Sequence, residues 1–217
     1  MTRQLLAQTH GVNPLREALG PGAVLLRAFA GSDADALLKA LREITAGSPF
    51  RFMTTPGGRP MSVAMTNCGD AGWVTDRSGY RYDRLDPTTA RPWPALPPVF
   101  RKLATEAAAE AGFSGFAPDV CLMSRYQSGA RLSLHQDKDE RDLESPIVSV
   151  SLGLPAVFLF GGHRRFDRPH RVPLAHGDVV VWGGPARLRF HGVMPLKEGC
   201  HPLLGAYRVN LSLRKAR

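Results

Sequence analysis

Cysteine is scarce in this chain of 217 residues: Cys68, Cys121 and Cys200 are odd in number and far apart. Such a set supports neither a disulfide framework nor a zinc knuckle, which favours a reducing compartment. No apolar run approaches the roughly 18 residues of a membrane span. Met1–Gly11 lacks the basic-then-apolar order of a signal peptide, so a cytoplasmic protein with no membrane partner is expected. Acidic residues are also short, 19 against 28 basic, which leaves a net charge of +9. The shortage concentrates from Val157 onward, where 11 Lys and Arg face 3 Asp and Glu. Its densest piece, His163-Arg164-Arg165-Phe166-Asp167-Arg168-Pro169-His170-Arg171, could neutralise phosphates or simply be a solvated loop. The 43% of hydrophobic residues suffices for one core, and the length fits one domain, expected to be monomeric.

The first 20 residues read as an arm with little periodicity. Gly22–Ala30 reads as a short strand, and Ser32 as the N-cap of a helix with Asp33 and Asp35 at its positive end. Leu37, Leu38, Leu41 and Ile44 form its apolar stripe, and Gly47 stops it. A second helix is expected from about Pro98 to Ala111, with Phe100, Leu103 and Ala107 facing the core. Between the helices, Phe50–Leu96 is rich in Gly, Thr, Arg and aromatics, and prolines close it as extended chain.

Past Asp119, short alternating or apolar runs recur between turn residues: Val120–Gln127, Leu132–Asp137, Ile147–Gly153, Ala156–Gly162, Asp178–Trp182, Leu188–Val193 and Tyr207–Arg214. This spacing indicates a sandwich or barrel, and a jelly roll closing two sheets around a cavity suits it best.

His135-Gln136-Asp137 places an imidazole and a carboxylate two residues apart, on one face of a strand. A third ligand must come from a distant strand, as His191 could. Two imidazoles and one carboxylate are the ligand set of a non-haem Fe(II) oxygenase, which leaves open metal positions for chemistry. His-x-Asp alone is a weak signal. A second signal follows it: in Tyr207–Arg214, Arg208, Asn210, Ser212 and Arg214 share one face while Val209, Leu211 and Leu213 fill the other. The two arginines lie about 20 Å apart along the strand. Leaning inward, their planar forks could grip opposite ends of a small dicarboxylate.

Leu132–Asp139, Ile147–Pro155, Gly177–Gly184 and the Arg208–Arg214 strand, with Met61–Gly69, Gly72-Trp73 and Gly79-Tyr80-Arg81-Tyr82, closely resemble the AlkB family of alkylation-repair dioxygenases. The resemblance covers nearly everything from Gly22 to Arg214. It implies a mostly β fold with flanking helices, a double-stranded β-helix (jelly-roll) core over 113–217. An N-terminal extension over 21–112, in the same compact unit, would carry the two helices and a nucleotide-recognition lid. It implies Fe(II), 2-oxoglutarate and O2, with His135, Asp137 and His191 as metal ligands and catalytic centre. Arg208 would pair the distal carboxylate of 2-oxoglutarate, helped by Tyr126 and Asn210, and Arg214 would contact the other end. Ser124 stands where close bacterial members usually carry Asn against the co-substrate, and Ser212 where Thr is common. The shorter Ser124 implies a gap that water could fill and a weaker hold.

The implied activity is oxidative demethylation of 1-methyladenine and 3-methylcytosine in DNA, extending to RNA, with release of formaldehyde, succinate and CO2. The methylated edge is hidden in a duplex, so the base must be unpaired or flipped. Trp73 would stack on it opposite the His135 ring, Asp139 would accept from its exocyclic amine, and Tyr80, Arg81 and Tyr82 would touch the nucleotide backbone. Arg165 would lie near the substrate. Read without the resemblance, Trp73 and Tyr82 are packing aromatics and Asp139 is part of a charged turn. Two alternatives compete: the same iron chemistry on methylated tRNA, protein or a small molecule, and a non-enzymatic ligand-sensing β-barrel. The lid discriminates within the first: Trp73, Tyr80 and the basic loop argue for a nucleotide. The second predicts an incomplete triad or missing arginines, and neither is seen.

Overall fold

Alternation of side chains decides the architecture. The computed structural model describes residues 15–217. Most of the sequence-expected arm, residues 1–14, lies outside the described residues. Fourteen strands follow: β1 (Arg16–Gly20), β2 (Ala23–Leu26), β3 (Arg51–Thr54), β4 (Pro60–Gly69), β5 (Gly72–Asp76), β6 (Gly79–Asp83), β7 (Val120–Tyr126), β8 (Leu132–His135), β9 (Ile147–Gly153), β10 (Ala156–Phe160), β11 (His170–Leu174), β12 (Val179–Trp182), β13 (His191–Val193) and β14 (Arg208–Arg214). Helices α1 (Ala34–Gly47) and α2 (Pro98–Glu110) complete the set.

The strands form an antiparallel sheet of eight, ordered β1-β2-β12-β9-β14-β7-β4-β3, a sheet of four, ordered β11-β10-β13-β8, and the hairpin β5-β6. The sheets of eight and four make the expected jelly roll. Odd and even positions of one strand enter different cores. Val209, Leu211 and Leu213 of β14 pack with Val148, Val150 and Leu152 of β9 and with the helices. Trp182, Leu122, Phe158 and Phe160 belong to a second cluster, between the sheets. Arg208, Asn210, Ser212 and Arg214 are therefore buried on the side of β14 that faces the small sheet.

Helix α1 buries Leu37, Leu38, Leu41 and Ile44 on the stripe that the sequence predicts. Burying each such side chain is worth about 1.5–3 kcal/mol. Its start differs from the reading of Ser32 as N-cap: Asp33 flanks the first turn, and no side chain caps it. The tight turn before it ties Gly31 N–H to Ala28 O, leaving main chain rather than a hydroxyl to set the entry. Helix α2 begins at Pro98, whose missing N–H costs nothing in the first turn. It ends where Gly112 adopts φ +95° and Phe113 N–H bonds back to Ala108 O, a closure that favours glycine.

Several boundaries depart from the sequence reading: the strand expected over Gly22–Ala30 ends at Leu26, and His170–Leu174, not expected as a strand, pairs with β10. Arg16–Gly20, read as the end of an arm, is a strand paired with β2. The strand expected over Leu188–Val193 is only His191–Val193, because a 3-10 turn at Gly184–Ala186 precedes it. The strand expected to hold both His135 and Asp137 stops at His135. Cys68 and Cys121, although 53 positions apart, are directly opposed on β4 and β7 as free, buried thiols.

Candidate active site

His135 and His191 are cross-strand partners on β8 and β13, so their rings share a face with centroids 4.4 Å apart. Asp137 lies just beyond the strand, and its two carboxylate oxygens sit 3.6 Å from His135 Nε2 and 3.6 Å from His191 Nε2. Gln136, between them, turns away and donates its amide N–H to Leu188 O, fixing the ligand loop to the segment ahead of His191. His135 Nδ1–H donates to Ser133 O (2.8 Å) and His191 Nδ1–H to Arg189 O (3.0 Å). Each ring is thereby fixed in the tautomer whose Nε2 lone pair faces Asp137. Burial, and then the neighbouring His191, lower the His135 pKa to about 4, so its ring is neutral at pH 7 and ready to ligate. One donor atom from each of the three residues falls in a set spanning no more than 4.8 Å, a fit for a single divalent cation.

Behind the triad lies a buried ion network. Arg214 Nη2 donates to Asp137 Oδ2 at 2.5 Å, and Arg214 Nη1 donates to the Tyr82 hydroxyl at 3.1 Å. Tyr82 in turn donates to Glu140 (2.7 Å). Glu140 also faces Arg187 at 3.2 Å, while Arg187 donates to Asp137 O and Ser145 O. Burial would raise the Asp137 pKa, but Arg214 and then His191 hold it well below the usual carboxylate range. Burial likewise works against the Arg214 charge, and Asp137, Tyr82 and Glu140 override it. Burial drives the Tyr82 hydroxyl well above its ordinary pKa, so it stays a donor.

Glu140 and Arg187 were not singled out from sequence. Glu140 sits in the charged turn after Asp137, and only tertiary packing shows that its side chain is 1% exposed. We expect Glu140→Gln to destabilise the protein by about 2 kcal/mol, since it removes the negative charge that faces two buried arginines, Arg187 at 3.2 Å and Arg214 at 3.4 Å. Urea unfolding of the metal-free protein measures this, and an unchanged midpoint would mean the network carries no net stability.

At the other end of β14, Arg208 is 1% exposed and lies over the Tyr126 ring at 4.9 Å. It donates from Nη2 to Ser151 Oγ (3.0 Å), while its Nε and Nη1 have no partner. Burial lowers its pKa. A buried guanidinium whose Nε and Nη1 hydrogens are unused, with no carboxylate paired to it among the described residues, suits an incoming carboxylate. The flanking polar residues are already committed. Asn210 spends both amide hydrogens on Ser149 Oγ (2.8 Å) and Val150 O (3.0 Å) and accepts from Ser212. It thus ties β14 to Ser149 and Val150 of β9. Ser124 is buried opposite Asn210 in the register of β7 and β14. Ser149 and Ser151, missed in the sequence reading, carried a legible signal: they are the polar positions of an otherwise apolar strand, with period two.

The residues expected to form a lid lie on the hairpin β5-β6, in which Trp73 opposes Tyr82 and Thr75 opposes Tyr80. Asn67 grips the Trp73 main chain from both sides, and the indole N–H donates to Asp139 Oδ2 (2.8 Å). Tyr80 stacks on Trp73 at 5.7 Å and is half exposed. Tyr82 turns inward to Glu140 and Arg214. Arg81 pairs with Asp76 and Asp83 of its own hairpin. Tyr80, Arg81, Tyr82, Asp139, Arg141 and Arg217 line a cavity of about 300 Å³. Arg165 stands at the opposite rim, donating to Leu134 O (2.7 Å) next to His135.

Residues 22–214 match the family model described as the 2OG-Fe(II) oxygenase superfamily. The chain is 58% identical over 203 residues, 94% of each chain, to an alpha-ketoglutarate-dependent dioxygenase AlkB of Salmonella typhimurium. It is 32% identical over 95% of its length, and 52% of the relative's, to a DNA N(6)-methyladenine demethylase, ALKBH1D, of Arabidopsis thaliana. Among solved structures, that of OsALKBH1 superposes with a TM-score of 0.82 at 30% identity, over 93% of this chain and 100% of the other.

Proposed function

Since the chain belongs to the 2OG-Fe(II) oxygenase superfamily, and within it to the AlkB family, we propose that it demethylates 1-methyladenine and 3-methylcytosine in DNA, with RNA as a second substrate. It is a 2-oxoglutarate-dependent dioxygenase, and its cofactors are Fe(II), 2-oxoglutarate and O2. When bound, iron would couple the oxidation of 2-oxoglutarate by O2, to succinate and CO2, to hydroxylation of an N-methyl group, and the N-hydroxymethyl product releases formaldehyde and restores the base.

The chain's own residues do the placement. His135, Asp137 and His191 hold the metal, and Arg208 takes the far carboxylate of 2-oxoglutarate between Tyr126 and Ser151. Arg214 neutralises Asp137 and orients it. The observation that carries the substrate class is Trp73, an indole fixed by Asn67 and Asp139 beside the metal ligands. A cationic methylated base gains both stacking and cation–π attraction on such a face. The second oxygen of Asp139 is left to accept from the base's exocyclic amine. The Tyr80 ring, stacked on Trp73, is the part of the lid that moves or re-stacks as the base enters. In this reading residues 21–112 supply the lid and 113–217 the oxygenase core of a cytoplasmic monomer.

Oligonucleotides carrying 1-methyladenine or 3-methylcytosine, incubated with Fe(II), ascorbate and 2-oxoglutarate, test the reading. Loss of methyl with stoichiometric formaldehyde is expected, and neither product appearing would sink it. Trp73→Ala should raise the oligonucleotide KM about tenfold, the size of a lost base-stacking contact, and leave the 2-oxoglutarate KM unchanged. An unchanged oligonucleotide KM would remove Trp73 from the base pocket.

A further inference from the structure

We propose that Phe166 is a stacking platform for a base of the substrate strand outside the catalytic pocket, with Arg164 and Arg168 pairing the phosphates beside it. The proposal rests on the nucleic-acid reading above and adds a second contact point to it.

Phe166 is 87% exposed, the highest value among the exposed large hydrophobic side chains of the described residues. A single exposed aromatic is ordinary on a protein surface; its setting is what distinguishes this one. Asp167 N–H bonds to Arg164 O (3.1 Å), which closes a four-residue turn with Arg165 and Phe166 at its two central positions. The Asp167 carboxylate accepts from Arg164 N–H (3.0 Å) and locks the turn again. Gly162 lets that carboxylate in: a Cβ there would lie 2.0 Å from Asp167 Oδ2. The base of the loop is pinned by reciprocal bonds, Gly161 N–H to Phe190 O and Phe190 N–H to Gly162 O. Arg165 adds its bond to Leu134 O. Phe190 precedes His191, and Leu134 precedes His135. The turn is therefore braced on the two residues that lead into the imidazole ligands, and its tip projects an aromatic ring into solvent at that rim.

Charge fits a strand at the same place. Arg164 and Arg168 flank the ring, both exposed. Arg168 also lines, with Leu159, Pro169, Arg171 and Met194, a cleft of about 420 Å³. An aromatic face between guanidinium groups is the pattern that binds a single strand without reading its sequence: stacking holds the base, and the cations track the backbone.

The test uses the full chain loaded with Fe(II) and 2-oxoglutarate and two substrates, a 1-methyladenine mononucleotide and a single-stranded oligonucleotide of about ten nucleotides carrying the same base. Phe166→Ala is expected to raise the oligonucleotide KM about tenfold, with kcat and the mononucleotide KM unchanged. Phe166→Trp should keep the wild-type KM. Its fluorescence should be quenched by an unmethylated oligonucleotide beyond any quenching of the wild type. Arg168→Gln should flatten the dependence of log KM on log salt by about one phosphate contact. A wild-type oligonucleotide KM in Phe166→Ala overturns the proposal, as does a loss shared equally by the mononucleotide. An effect that appears only with a complementary strand annealed overturns the assignment to the substrate strand. If the wild type turns over neither substrate, the demethylation reading fails by itself. The Phe166→Trp quench then still decides the platform, its absence overturning it.

Discussion

Arg208→Met is expected to raise the 2-oxoglutarate KM by about a hundredfold or more, the loss typical of removing one side of a buried, hydrogen-bonded charge pair. The same change should not lower the melting temperature of the ligand-free protein. Among the described residues Arg208 has Nε and Nη1 unpartnered and only Ser151 as a hydrogen-bond acceptor, so its charge is desolvated without a carboxylate to offset it. Burial lowers its pKa for the same reason. A methionine fills similar volume over the Tyr126 ring without that cost. The wild type should gain melting temperature on adding 2-oxoglutarate, by mass action, and the variant should gain none. Steady-state kinetics with saturating Fe(II) and thermal melts with and without co-substrate check both halves. An unchanged KM would remove Arg208 from the co-substrate site. A large fall in ligand-free stability would mean that the arginine is structural first.

That Arg208 shares a buried face of β14 with Asn210, Ser212 and Arg214 was legible from strict alternation in Tyr207–Arg214, because a strand has only two faces. His135 and Asp137 were legible from their spacing, although the strand ends between them and the carboxylate is aimed by Arg214 and not by the pleat. The apolar stripe of α1 and the Pro98 start of α2 were legible for the same local reasons. What was not legible is pairing across the chain. Which side chains spend their hydrogen bonds on one another is a tertiary fact, so the sequence could not show that Asn210 donates to Ser149 and Val150 and accepts from Ser212. Nor could it show that the Tyr82 hydroxyl reaches inward to Glu140 and Arg214. Glu140 and Arg187, 47 positions apart, gave no local signal because each has an ordinary charged or turn context.

Asp137→Ala is expected to abolish turnover, by at least about a thousandfold, and to destabilise the metal-free protein by about 3–5 kcal/mol, the usual consequence of leaving a buried charge unpaired. The two effects have separable causes. Turnover fails because the carboxylate ligand between the imidazoles is gone. Stability falls because Asp137 and Glu140 together balance Arg187 and Arg214 inside the protein, and removing one carboxylate leaves a net positive charge there. Removing Arg214 as well restores the balance: Glu140 keeps Arg187, and Tyr82 keeps Glu140 as its acceptor. The double variant Asp137→Ala/Arg214→Met should therefore regain most of the lost stability while staying inactive. Urea unfolding of the wild type, both single variants and the double variant closes the cycle, and the coupling energy should be large because the side chains touch. Additive single effects would mean that Arg214 does not act through Asp137. Recovery of turnover in the double variant would mean that Asp137 is not a metal ligand. The pair also explains why a cationic side chain belongs beside a metal site. Arg214 holds the Asp137 carboxylate ionised and aimed between His135 and His191.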